Sequence, residues 1–263
     1  MDDRCTETND KQGFTAGVVL VDKPPGMTSF NVVRDVRRLL GIKKVGHAGT
    51  LDPFATGLLI ICAGRPATRL IERFMGGRKV YKALLQLGWE TDTLDPEGEV
   101  VRTVPVPVLT GEVINTCLES FIGRRQQVPP RYSAAKHKGK PLYHYARKGI
   151  EVIKEPKDIE IYSVDFRGYD HGTHQLEIEV VCSRGTYIRV LAADIGKKLG
   201  CCAHLIGLRR LSSGKFSVVG SVPGEALNQP EGLKPLLAGM FSVEGVTAML
   251  DAAEESVVVV EQK

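Results

Sequence analysis

Apolar residues at Val32, Val33, Val36, Leu39 and Leu40 fall on one face of a helix, with Arg34, Arg37 and Arg38 opposite. Thr28 or Ser29 caps its start and Gly41 ends it. Upstream, Val18–Val21 reads as a short buried strand stopped by Pro24-Pro25-Gly26. Leu58–Ala63 reads as a second strand and Ala67–Met75 as a short helix. Val80–Gly88 and Glu99–Val104 are predicted to pair across Asp92–Gly98, whose Asp-Pro-x-Gly run is turn chemistry. Thr110 opens a second helix with Ile114, Cys117, Leu118 and Phe121 inward. Ile159–Tyr169 and His174–Cys182 form a hairpin in which Leu176, Ile178 and Val180 alternate with Glu177 and Glu179. Ile188–Leu199 is a third helix, and the last pattern is a helix over Val243–Ala253 with an edge strand over Val257–Val260. Strands and helices mix without βαβ alternation, which predicts an α+β fold with a large, mostly antiparallel mixed sheet flanked by helices.

Composition adds a class and a partner. The 263 residues are 43% apolar and 25% charged, ordinary values for a globular protein. Residues 1–15 are polar and expected to be disordered, with no signal-peptide pattern, and no apolar stretch approaches the ~20 residues of a spanning helix. A cytoplasmic protein without membrane contact is expected. The six scattered cysteines read as buried free thiols. Cys201, Cys202 and His204 lie close together, but no Cys-x-x-Cys pair exists, so no metal is expected. The net charge of +4 hides segregation: residues 1–10 carry −3, residues 221–263 carry −5, and the body between carries +12. A basic body with acidic ends points to a polyanionic partner.

Candidate chemistry is confined to a few segments. There is no phosphate-binding Gly-x-x-x-x-Gly-Lys loop, no Gly-x-Gly-x-x-Gly, no His-Glu-x-x-His and no Gly-x-Ser-x-Gly, which argues against ATP, dinucleotide, catalytic-zinc and α/β-hydrolase chemistry. Gly46–Gly57 reads G-H-A-G-T-L-D-P-F-A-T-G, a tightly turned backbone with Asp52 in its middle and Pro53 holding that aspartate extended. A capping aspartate in a turn explains this segment as well as a catalytic carboxylate does. In Cys182–Arg189, Arg189 sits in the first turn of a helix, where the dipole disfavours a cation; it either answers a carboxylate or faces solvent. Gly123–Lys157 holds ten Lys/Arg against two acids, interleaved with Tyr132, His137, Tyr143, His144 and Tyr145. Cations for phosphates and aromatics for unpaired bases are the footprint of looped RNA, here on an exposed arm.

Several ordered segments together resemble the TruB family of tRNA pseudouridine synthases. They are V-D-K-P-P-G-M-T-S (Val21–Ser29), the Gly46–Gly57 loop, the run from Tyr81 to Gly98, Q-V-P-P-R-Y-S-A-A-K (Gln127–Lys136), C-S-R-G-T-Y-I-R and Leu208-Arg209-Arg210. The resemblance implies the pseudouridine synthase fold and isomerisation of the T-loop uridine that tRNA numbering calls 55. The N1–C1′ bond breaks, the base turns, and C5 joins C1′; no atom is lost or gained, so no cofactor and no metal is implied. Asp52 matches the catalytic aspartate, which either attacks C1′ or removes a proton at C2′. Arg189 is similar to the arginine that pairs with it. Tyr81 matches the aromatic that stacks on the target base, and His47 the histidine that replaces the extruded nucleotide. Tyr187 and Leu208 match residues lining the uracil pocket, and Lys23 a lysine near the aspartate.

The resemblance also implies an organisation. Residues 1–15 would be a tail, 16–220 the catalytic domain with 123–157 as a basic RNA-binding insertion, and 221–263 a short acidic segment, too short for the PUA domain that many bacterial relatives carry. Phe54 departs from the smaller aliphatic residue usual there. The expected partner is the T-arm of tRNA, bound by a monomer, with the arm and the Arg34/Arg37/Arg38 face as phosphate contacts. Two alternatives share the sequence: a guide-RNA-dependent synthase, and a tRNA-binding folding factor with dispensable catalysis.

Overall fold

The computed structural model describes residues 14–133, 136–137, 140–141, 145, 150, 152 and 154–258. They fold into two compact units: residues up to Gly77 with those from Arg209 onward, and Arg78–Leu208.

The first unit opens with β1 (Gly17–Lys23), α1 (Ser29–Leu40), β2 (Val45–Ala48), β3 (Thr56–Ala63), α2 (Arg65–Thr68) and α3 (Ile71–Met75). β1 and β3 pair antiparallel, Val19 opposite Ile61, and β2 joins β3 with His47 opposite Ile61. Both central strands read as continuous apolar runs because both faces are covered. Val19, Val21, Leu59 and Ile61 pack on one side with Val32, Val33 and Val36 of α1, while Val18, Leu20, Leu58 and Ile60 meet Phe74 on the other. All five predicted apolar positions of α1 are buried. Thr28 is the cap: its hydroxyl accepts from Asn31 N at 3.0 Å, and Thr28 N donates back to the Asn31 side chain at 3.2 Å. Gly41 ends the helix in the left-handed region, φ 68°. The single helix expected over Ala67–Met75 is two, because at Leu70 the N–H bonds back three residues to Ala67 O (3.0 Å) and the ladder tightens.

The second unit contains β4 (Lys79–Leu87), β5 (Trp89–Thr91), β6 (Val100–Thr103), α4 (Gly111–Glu119), β7 (Gly123–Gln127), β8 (Lys136–His137), β9 (Lys140–Pro141), β10 (Lys157–Asp170), β11 (Gln175–Cys182) and α5 (Ile188–Lys198). Its strands run β4–β11–β10–β7, all antiparallel. The predicted hairpin is β10–β11, with Leu176, Ile178 and Val180 buried. One expected pairing fails. The 99–104 segment pairs with β5, not with β4, which lies between β11 and β12 (Ala203–Ser213). Gly88, φ 89°, breaks the run after Leu87, so the turn lies where expected but its upstream strand is β5.

β12 (Ala203–Ser213) passes from this unit into the first, where Arg210 lies parallel to Gly57 of β3. There follow β13 (Phe216–Ser217), β14 (Val222–Pro223), a 3-10 turn, α6 (Leu233–Ala238), β15 (Met240–Phe241) and α7 (Val243–Val258). β14 pairs parallel to β1 and β15 antiparallel to it, and Leu227, Leu236 and Met240 join the α1 core. The acidic segment therefore packs on the first unit. Val257 and Val258, expected in an edge strand, continue α7, whose Val246 and Leu250 face the core one turn apart; residues 259–260 lie outside the described residues.

Candidate active site

Asp52 is half-buried in the loop between β2 and β3, and both its neighbours are clamped. Ser29 Oγ donates to Leu51 O (3.0 Å) and accepts from Leu51 N (2.9 Å). Pro53 O accepts from Gly26 N at 2.9 Å and from Lys23 Nζ at 3.0 Å. Lys23, fully buried, also donates to Pro24 O (2.8 Å) and Met27 O (2.7 Å). Three carbonyls thus solvate an ammonium that would otherwise be costly to bury. His47 lies on β2 with Nδ1 buried and, among the described residues, without a hydrogen-bond partner. Burial first, and the Arg210 charge second, push its imidazole below the ordinary histidine value, so the ring is neutral at pH 7.

The other expected site residues lie in the second unit. Tyr81, 7% exposed, is on β4 opposite Val180. Tyr187 is the N-cap of α5, and its backbone is gripped by one side chain: Tyr187 N donates to Gln127 Oε1 (2.8 Å) while Gln127 Nε2 donates to Tyr187 O (3.1 Å). Leu208 is half-buried on β12. Arg189 is buried in the first turn of α5, where its dipole cost is answered by acceptors. Its Nη1 donates to Asp95 Oδ2 (2.9 Å) and Thr93 O (3.0 Å), and Nη2 to Tyr132 O (2.7 Å). The structure therefore gathers Lys23, His47 and Asp52 in one unit and Tyr81, Tyr187, Arg189 and Leu208 in the other.

Asp95 and Gln127 were not singled out from sequence. Asp95 is as buried as its arginine and also accepts from Thr93 Oγ1 (2.6 Å) and Glu97 N (3.0 Å). Leu94 beside it holds φ 62°, a conformation that costs a leucine of order 1 kcal/mol and marks a site fixed by its surroundings. The T-D-T-L-D-P-E-G run looked like turn chemistry; its signal was the density of side-chain acceptors within it. Two of the α1 arginines also brace the fold: Arg37 donates to Val45 O (2.8 Å) and Arg38 to Leu227 O (2.9 Å), while Arg34 and Arg38 are both exposed. The basic arm is rooted in β7 and β10 at its ends; Tyr143 and His144 lie outside the described residues. Cys62, Cys117, Cys182, Cys201 and Cys202 are buried free thiols, with burial pushing Cys62 up to about 12 and Cys182 to about 11; Cys5 lies outside the described residues. No helix among the described residues is long and apolar enough to cross a membrane.

The fold is that of the pseudouridine synthases. The chain superposes on the structure titled "Crystal Structure of a Cbf5-Nop10-Gar1 Complex" with TM-score 0.65 and 26% identity, over 87% of this chain and 60% of that one. Residues 37–188 match the model described as "TruB family pseudouridylate synthase (N terminal domain)", and residues 189–230 match "tRNA pseudouridylate synthase B C-terminal domain". Among relatives named tRNA pseudouridine synthase B, one from Desulfotalea psychrophila is 53% identical over 92% of this chain and 99% of its own length. Another, from Bordetella avium, is 46% identical over 80% of this chain and 86% of its own. The chain belongs to the TruB family of pseudouridylate synthases.

Proposed function

We propose that this chain converts uridine 55 in the T loop of tRNA to pseudouridine, acting alone in the cytoplasm as a monomer, without guide RNA, cofactor or metal. The observation that carries the reading is the Asp52 loop in a TruB-family chain: one carboxylate whose two neighbours are each fixed by buried side chains. A general-purpose turn does not need such bracing; a group that must meet a sugar carbon within a fraction of an ångström does.

The reaction asks little else of the protein. The T-loop uridine is extruded at a cost of a few kcal/mol, offset by phosphate contacts from the basic arm. His47 enters the gap as a neutral ring, which costs less to desolvate than an imidazolium. Tyr81 stacks on the extruded base while Tyr187 and Leu208 line its edges. Asp52 acts on the sugar, at C1′ as nucleophile or at C2′ as base. The N1–C1′ bond breaks, the freed uracil turns, C5 bonds C1′, and the proton leaving C5 is balanced by one gained at nitrogen.

The purified chain is expected to form pseudouridine in an unmodified tRNA transcript in the presence of a chelator and without added nucleotide or RNA. Product that appeared only on adding a guide RNA would sink the stand-alone reading.

A further inference from the structure

Arg210 is 1% exposed and is among the largest fully buried side chains of the protein. Among the described residues no carboxylate pairs with it; its hydrogen-bond partners in the fold are two backbone carbonyls. Nε donates to Leu58 O at 2.7 Å and Nη2 donates to Gly49 O at 3.0 Å. Gly49 opens the loop that carries Asp52, and Leu58 lies in β3 just past the loop's other end. The backbone adds a third attachment. Arg210 is in register with Gly57, φ 98°, and a β-carbon at Gly57 would run into the Arg210 main chain. At the other end Gly49 has φ 92°, and a β-carbon there would lie 3.4 Å from Nη1.

A buried, carboxylate-free guanidinium is an expensive way to fill space, since an apolar residue of similar volume is often neutral or stabilising at such a position. What an apolar residue cannot do is hold two carbonyls in fixed directions, and lysine, a point charge, cannot reproduce the planar fork. We infer that Arg210 is a positioning residue for the reaction: its guanidinium ties Gly49 to Leu58, fixing both ends of the loop and through them the place of Asp52. The inference rests on the reading of Asp52 as the catalytic carboxylate. Ser29 and Lys23 clamp the residues next to Asp52; Arg210 closes the loop behind them. Its charge also helps to keep His47 neutral, which couples two functional groups of this unit to one cation.

The test compares wild type, Arg210→Lys and Arg210→Gln for single-turnover conversion of a tRNA transcript, tRNA affinity and thermal midpoint. Displacing a reacting group by about 1 Å can cost ~100-fold, so the single-turnover rate is expected to fall ~10- to 100-fold, less in Lys than in Gln, with tRNA affinity retained. A wild-type rate in a folded Arg210→Lys protein overturns the inference. So does a rate that falls only in step with tRNA binding, which marks a residue serving the fold in general. If neither variant folds, Gly49→Ala leaves the arginine in place and strains the carbonyl it holds. The same selective loss of rate is expected there, and a wild-type rate refutes the proposal. Wild-type protein unable to convert the transcript would remove the reading of Asp52 itself; active wild type with unimpaired Arg210 variants removes only this inference.

Discussion

Asp95→Asn is a sharp test of how the second unit holds its arginine. The wild-type carboxylate accepts from Arg189, Thr93 Oγ1 and Glu97 N, and both members of the ion pair are about 95% buried. The amide can still accept from Thr93 and Glu97 through its oxygen. Its NH2 then faces the Arg189 Nη1, donor against donor, and the pair loses its negative charge. Removing one partner of a buried pair costs ~3–5 kcal/mol, and the lower end applies because Arg189 keeps the Thr93 and Tyr132 carbonyls. At about 2–4 °C per kcal/mol, a loss of ~3 kcal/mol lowers the melting temperature by roughly 6–12 °C. Lys82–Glu177 is the control, with the same 2.9 Å separation but side chains 50% and 35% exposed. Glu177→Gln is expected to cost less than about 1 kcal/mol. Urea unfolding of both variants beside wild type reads the difference. Equal losses would mean that burial is not what gives the Arg189–Asp95 pair its strength.

Two further outcomes follow from the first unit. Lys23→Met removes the donor from three carbonyls; with ~1.5–3 kcal/mol for a hydrogen bond to a charged group and partial compensation at Pro53 O from Gly26 N, a loss of roughly 2–4 kcal/mol is expected in the same unfolding assay. His47 has its folded-state value depressed, so the unfolded chain takes up the proton first, and stability is full above about pH 6.5 and declines as pH falls toward the folded value. Melting temperatures between neutral and mildly acidic pH should therefore fall less in His47→Gln than in wild type; identical slopes would show that His47 does not contribute.

Much of this was legible in the sequence where local rules and packing agree. The α1 stripe, its Thr28 cap and the Gly41 stop all point to one helix, and the Leu176/Ile178/Val180 alternation has a single solution in a half-covered sheet. The misses share a cause. β12 carries Gly207, Arg209 and Arg210 and shows no two-residue alternation, because its burial is set by tertiary neighbours along its length. β7 reads G-R-R-Q-Q and looked like part of an exposed arm; Arg125 bonding to Phe121 O and Gln127 to Tyr187 are what the polar run is for. Asp52, Lys23 and His47 are candidates through motif resemblance, but the bracing residues around the candidates have no such signal. Ser29, Gln127 and Arg210 bond backbone carbonyls and amides of residues distant in sequence, and Asp95 a distant arginine side chain; no spacing rule in one dimension announces such partners.

The central claim is that the Asp52 carboxylate performs the chemistry on a tRNA uridine. It is tested most directly by mapping pseudouridine at position 55 of a transcript treated with wild type and with Asp52→Asn, each shown to bind tRNA. Wild type is expected to modify that position and the variant not at all at equal occupancy. Modification by Asp52→Asn at the wild-type rate would contradict the claim.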